Sequence, residues 1–195
     1  MPKKHQYKDS EFALETPDLR KVINAASSLR DRCILKLFAQ TGIRREELAS
    51  LDVRDLDFAS RRIHIREGKG AKARTVPITD ELRSDLRLCI AKRKIGPLFL
   101  SNHKRGISIR QLNRLVHDSG DRAGVDNPNP KYTGLTPHLF RHSFARAWKK
   151  RGLSIESLSK ILGHSSVTTT WDLYGSESFD DVQENYDRLM EGATT

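Results

Sequence analysis

Covalent cross-links have almost no material in this chain. Its 195 residues include two cysteines, Cys33 and Cys89. Each sits within an apolar helical pattern, so both are expected as small buried hydrophobes rather than as a disulfide or metal ligands. No apolar run is long enough to span a bilayer. The basic start Met1-Pro2-Lys3-Lys4 lacks the apolar stretch that a secretion signal needs, and a cytoplasmic protein is the expectation. The chain also has no internal repeat, no low-complexity linker and no acidic triad able to hold magnesium. His138 and His142 have the i, i+4 spacing of zinc ligands, with His164 as a third. Leu139, however, stands where the zincin pattern needs glutamate, and Arg141 in the same turn would repel a cation. No metal and no other cofactor is expected.

Positive charge, by contrast, is plentiful. A formal charge of +10 points to a polyanionic partner, because neutralising phosphates releases counterions and drives binding. Ribosomal, membrane-surface and DNA-binding proteins share that property, so charge alone does not choose among them. The length suits one domain with a full core.

Periodicity gives a mainly helical domain with one small antiparallel sheet, an α+β fold. Thr16-Pro17-Asp18-Leu19 reads as a helix start, with Thr16 as its N-cap. A second helix is predicted over 31–40, closed by Gly42, and a short third one begins near Arg44. The period then becomes two. Arg62-Ile63-His64-Ile65-Arg66 and Arg74-Thr75-Val76-Pro77-Ile78 alternate around the glycine-flanked, cationic tip Glu67-Gly68-Lys69-Gly70-Ala71-Lys72, and 56–58 adds a third strand. Further helices are predicted over 79–93, 108–123, 136–151, 154–162, 167–174 and 178–190. Asn127-Pro128-Asn129-Pro130 can only be a loop.

Six polar residues stand out against this frame: Arg44, Lys69, His138, Arg141, His164 and Tyr174. Two guanidiniums can grip phosphate oxygens, a lysine and imidazoles can donate hydrogen bonds or move protons, and a phenol can attack phosphorus. His138 and Arg141 share a helix face, with His142 one residue further round. Arg44 follows a glycine at a helix start, where backbone N–H groups favour an anion.

The local sequences around these residues resemble the catalytic domain of the tyrosine recombinase, or phage integrase, family. The likeness rests on Thr41-Gly42-Ile43-Arg44 with Glu47-Leu48; on Gly68-Lys69-Gly70 with Lys72, Arg74 and Val76-Pro77; on Thr136-Pro137-His138-Leu139-Phe140-Arg141-His142; and on Leu162-Gly163-His164-Ser165-Ser166. It implies a site-specific DNA recombinase or integrase that cuts and rejoins strands through a covalent 3′-phosphotyrosine, with no metal or ATP. Arg44 and Arg141 would clamp the scissile phosphate. His138 would exchange a proton with the tyrosine, Lys69 would protonate the leaving 5′ oxygen, His164 would donate to a non-bridging oxygen, and Tyr174 would be the nucleophile. Tyr174 follows His164 by ten residues where the family has nine, so a bulge or shifted helix end is expected. Tyr186, on a stripe with Val182 and Leu189, is expected to dock rather than react.

The same likeness divides the chain into a basic N-terminal tail over 1–15, a catalytic domain over 16–176 and a C-terminal helix and tail over 177–195 that docks on a neighbouring protomer. Expected partners are double-stranded DNA and further copies of the chain, as a tetramer on DNA in the nucleoid. Only about sixteen residues precede the first helix, so the family's N-terminal DNA-clamping domain is not expected within this sequence. Lys72, Arg74, Lys104, Arg105, Arg110 and Arg114 are expected on the DNA. Two rivals remain at this point: a type IB topoisomerase-like enzyme with the same chemistry, and a DNA-binding module without catalysis.

Overall fold

The side chain of Ser28 accepts from the backbone of Asp31 and starts the central helix, α2 (Leu29–Thr41), which ends at Gly42 with φ 59°. Cys33, Ile34, Leu35, Leu37 and Phe38 are all fully buried, so α2 is covered on every side, as a helix at the centre of a domain must be. Even Lys36 is enclosed, its ammonium 2.6 Å from both Glu81 and Asp85. The structure, a computed structural model, describes residues 12–66, 73–164, 166–175, 183, 186 and 187.

Around α2 pack α1 (Thr16–Asn24), α4 (Asp80–Ile90) and α6 (Pro137–Lys150), while α5 (Ile109–Ala123) closes the bundle against α1 and the short α3 (Arg45–Ser50). The expected helix starts hold at Thr79, Ser108 and Thr136, whose hydroxyls cap Leu82, Gln111 and Leu139. Some boundaries differ, and α2 begins at Leu29, two residues ahead of the expected 31. Glu15 rather than Thr16 is the N-cap of α1, placing Thr16 and Pro17 inside the first turn. α4 stops at Ile90, short of Arg93, because Ala91 turns the chain with φ 51°. Arg93 instead donates to the carbonyls of Pro97 and Leu98 at 2.6 and 2.9 Å, tying down the returning segment.

β1 (Leu56–Asp57), β2 (Arg62–Ile65) and β3 (Arg74–Pro77) form an antiparallel sheet in that order. Ile63 stands opposite Val76 and Ile65 opposite Arg74. Ile63, Ile65 and Val76 are buried, and by the two-residue period Arg74 lies on that same inner face. The hairpin tip, with Lys69 and Lys72, lies outside the described residues.

A second, smaller core joins α6 to α7 (Ile155–Leu162) and α8 (Val167–Tyr174) through Phe144, Ala145, Leu158, Leu162 and the Tyr174 ring. Gly42 presses onto it: a Cβ there would lie 2.7 Å from Phe144 and 2.9 Å from Leu162. Cys33 is buried, Cys89 is half-buried, and both thiols are free. Among the described residues no helix is long and apolar enough to cross a membrane. The expected helix over 178–190 lies largely outside them; Tyr186, described as helical, is exposed.

Candidate active site

The site begins with a carboxylate. Glu47, on α3 and 8% exposed, accepts from the Arg44 backbone N–H at 2.8 Å and from the Arg44 guanidinium at 3.1 Å. The anion at this helix start is therefore the protein's own. Arg74 reaches across from β3 and grips Glu47 through two parallel bonds of 2.6 and 2.8 Å, while its Nε donates to the Ile161 carbonyl at 2.7 Å. Burial by itself would raise the Glu47 pKa, but Arg74, and then Arg44, hold it below the usual carboxylate range. Arg74 was expected on DNA. Its side chain is instead 6% exposed, with its fork of donors committed to Glu47 and α7.

Arg141, on α6, is buried. It donates to the Gly42 carbonyl at 2.5 Å and to the Leu162 carbonyl at 2.9 Å, and Arg44 donates to that same Leu162 oxygen at 3.3 Å. Burial, and next the charge of Arg44, lower the Arg141 pKa. The pocket holds more positive charge than its own groups balance.

His164, in the turn between α7 and α8, places Nε2 3.0 Å from Arg141 Nη2 and Nδ1 2.7 Å from Thr170 Oγ1. A guanidinium offers donors only, so Nε2 accepts and the ring proton sits on Nδ1, donated to the fully buried Thr170. Burial, then Arg141, Arg44 and Arg74, bring the His164 pKa down to about 4. The ring is neutral at pH 7.

Tyr174 ends α8, which is a regular α-helix from Val167 onward. The expected bulge is absent from it, and the phenol reaches the site from an ordinary helix end. Its ring is 5% exposed and its hydroxyl lies 2.7 Å from His142 Nδ1. Burial raises the Tyr174 pKa to about 12, against an opposite pull from Arg141 and Arg44. His138 meets His142 edge-on with ring centroids 4.3 Å apart. The two differ in setting: His142 is buried, whereas His138 is exposed and lines an open cleft with Arg44, Arg45 and Arg141.

The structure thus brings Arg44, Arg141, His164 and Tyr174 together and sets His138 at the cleft beside them. Lys69 and Lys72 lie outside the described residues. Lys104, Arg105, Arg110 and Arg114 are exposed. Arg45, at the cleft edge, lies 3.4 Å from Asn113 on α5, one turn from Arg110. Sequence reasoning gave no role to Glu47, Thr170 or His142. Helical spacing did place His142 one turn after His138, whereas nothing in the sequence marks Thr170.

Two arginines, imidazoles and a buried phenol thus share one helical domain. The model of the phage integrase family matches residues 13–180, and the chain belongs to that family. It is 33% identical over 183 residues to the tyrosine recombinase XerA of Saccharolobus solfataricus, covering 94% of this chain and 58% of that relative. The crystal structure of XerA recombinase superposes with a TM-score of 0.76 at 29% identity, covering 91% of this chain and 64% of that one. The Tn1549 transposon integrase, solved in complex with transposon right end DNA, shares the fold with a TM-score of 0.72 at 21% identity over 95% of this chain and 68% of its own. The chain spans little more than half the length of the curated relatives it matches.

Proposed function

We propose that the chain is the catalytic unit of a site-specific DNA recombinase, in which Tyr174 attacks the scissile phosphate and holds the strand as a 3′-phosphotyrosine until a second strand displaces it. The observation behind this reading is the convergence of Arg44 and Arg141 on one carbonyl oxygen beside a buried tyrosine hydroxyl. A phosphate entering the cleft replaces that carbonyl as acceptor. The two forks then stabilise the charge that builds on the non-bridging oxygens, where donors fixed in advance act most strongly. His138 exchanges a proton with Tyr174, His164 donates to a non-bridging oxygen once the phosphate has drawn Arg141 from its Nε2 and the ring has taken up a proton, and Lys69 protonates the leaving 5′ oxygen. The phosphotyrosine keeps the energy of the broken bond, so rejoining needs neither ATP nor a metal.

Tyr174 packs within its own chain's site, which favours attack in cis. Arg110 and Arg114, with Lys104, Arg105 and Lys72, extend the contact along the phosphate backbone. Such contacts position DNA and do not specify its sequence. Assembly as a tetramer on DNA, with residues 177–195 docking on a neighbouring protomer, is part of the same proposal, as are a setting in the nucleoid and DNA clamping by a further domain. Arg74 leaves the DNA contacts and joins the support of Glu47.

Covalent trapping tests the proposal. Nicked duplexes of pooled sequence lose the short 5′-hydroxyl fragment after cleavage and cannot be resealed. Incubated in excess EDTA, the chain is expected to form an adduct that migrates as protein-linked DNA and is digested by protease, and Tyr174→Phe is expected to form none. DNA binding without an adduct would favour a non-catalytic module; relaxation of supercoiled plasmid without strand exchange would favour a topoisomerase.

A further inference from the structure

We infer that Thr170 is a positioning residue of this site, an assignment that rests on the reading of His164 as a phosphate ligand. By accepting the Nδ1–H of His164, Thr170 fixes the tautomer in which Nε2 is turned toward the phosphate pocket, and it ties that imidazole to the helix that carries Tyr174.

Three successive threonines stand on α8. Thr168 and Thr169 are exposed, whereas Thr170 is fully buried. A hydroxyl taken out of water costs free energy unless it finds a partner, and a valine would fill the same space without that need. The partner is His164 Nδ1, 2.7 Å from Thr170 Oγ1. On the opposite side of the ring Nε2 lies 3.0 Å from Arg141 Nη2, so His164 bridges α6 and α8. Its backbone is fixed as well, the N–H donating to the Ser159 carbonyl at 3.2 Å. A neutral imidazole carries one hydrogen, and a guanidinium has only hydrogens to offer. Arg141 therefore needs Nε2 bare, and the hydrogen on Nδ1 needs the lone pair that Thr170 supplies.

Once a phosphate has drawn Arg141 away, Nε2 takes a proton from solvent and donates it to a non-bridging oxygen. The Nδ1–H stays with Thr170 throughout, and an acceptor is worth more to the cationic ring than to the neutral one. The charged groups facing the ring are Arg141 from α6, Arg44 ahead of α3 and Arg74 from β3. All three are positive and oppose that cation; the Thr170 oxygen works against them. Thr170 and Tyr174 are four residues apart on α8 and both are buried, so they share a helix face. Seating the tyrosine also seats the acceptor of His164, and the two groups become competent together.

Two variants of the full chain test this. Thr170→Val removes the hydroxyl and keeps the shape, and Thr170→Ser keeps the hydroxyl. Nitrogen-15 NMR of histidine-labelled protein without DNA, with the His164 signals assigned from His164→Gln, reads the tautomer. The hydrogen is expected on Nδ1 in the unaltered chain and in Thr170→Ser, and the Nδ1–H population should fall in Thr170→Val. A hydrogen on Nε2 in the unaltered chain, or an unchanged tautomer in Thr170→Val, overturns the inference whether or not the chain is active. Single-turnover cleavage of nicked duplex is the second readout. Near pH 7.5 Thr170→Val should cleave about 10- to 100-fold more slowly, the worth of one hydrogen bond to a charged group. Its deficit should shrink as pH falls toward 5.5, because the rate follows the protonated ring, and Thr170→Ser should recover most of the rate. A deficit equal at every pH, or as large in Thr170→Ser as in Thr170→Val, would mark a packing effect and refute the assignment. Absence of any Tyr174 adduct from the unaltered chain counts instead against the proposed function, and the tautomer still decides the part played by Thr170.

Discussion

Arg44 and Arg141 donate to a single oxygen, the carbonyl of Leu162, at 3.3 and 2.9 Å. Two cations no more than about 6 Å apart, at an effective dielectric near 20, repel by roughly 3 kcal/mol. Glu47 and its neighbours compensate part of that repulsion, and a bound phosphate compensates more. Arg141→Lys keeps the charge and loses the planar fork, so DNA binding should change little while adduct formation falls by about 10²- to 10³-fold. Filter binding and single-turnover cleavage, measured on one preparation, check both halves.

The Arg74–Glu47 pair holds the two halves of the site together, since Arg74 also bonds the end of α7. Removing one partner of a buried pair strands the other. Arg74→Met is expected to lower stability by about 3–5 kcal/mol in urea unfolding. Glu47 has a depressed pKa in the folded chain. Its stabilisation is therefore complete above the unfolded value of 4.5 and is lost as pH falls through the lower folded value. Glu47→Gln should flatten that acid limb of the stability curve.

His164 acts in the same direction at higher pH. Its folded pKa of about 4 lies below the ordinary 6.5, so its contribution to stability is complete above 6.5 and declines as pH drops toward 4. A phosphate in the cleft adds negative charge and draws Arg141 away from Nε2, both of which favour the protonated ring. Calorimetry of DNA binding near pH 5.5, in buffers of differing ionisation heat, should record proton uptake that His164→Gln lacks. Equal uptake by both proteins would contradict this linkage.

Gly42 and Gly124 give a matched pair of backbone tests. Both have positive φ, 59° and 62°, but a Cβ on Gly42 meets Phe144 at 2.7 Å while one on Gly124 meets nothing within 4 Å. Gly124→Ala should cost only the left-handed backbone term, about 1–2 kcal/mol. Gly42→Ala should cost more and, by moving the carbonyl that receives Arg141, should also slow cleavage. Thermal unfolding together with trapping separates the two effects.

Much of this arrangement was readable before any coordinates. Capping hydroxyls at Ser108 and Thr136 and glycines at 42, 124 and 163 mark helix ends through local chemistry, and alternation over 62–65 and 74–77 fixes the strands. Local signals also bring Arg44, Arg141, His164 and Tyr174 forward. Arg74 was misread as a DNA contact because charge was weighed ahead of period: it lies two residues from the buried Val76, hence on the inner face. The hydrogen bond of Tyr174 with His142 depends on how deeply α8 packs against α6, which no local pattern encodes. Thr170 supports His164 only once the turn between α7 and α8 is folded.

The proposed attack in cis is checked by mixing two variants. A mixture of Tyr174→Phe with Arg141→Ala should then form no adduct, because neither chain alone has both groups; restored cleavage in the mixture would indicate that the tyrosine is delivered to a neighbour's site.

Mass spectrometry of the DNA-linked peptide tests the central claim most directly. After trapping on nicked duplex, nuclease trimming and proteolysis, the nucleotide mass should be attached to Tyr174. Attachment to Tyr186 or another residue, or cleaved DNA carrying no protein, would contradict the account.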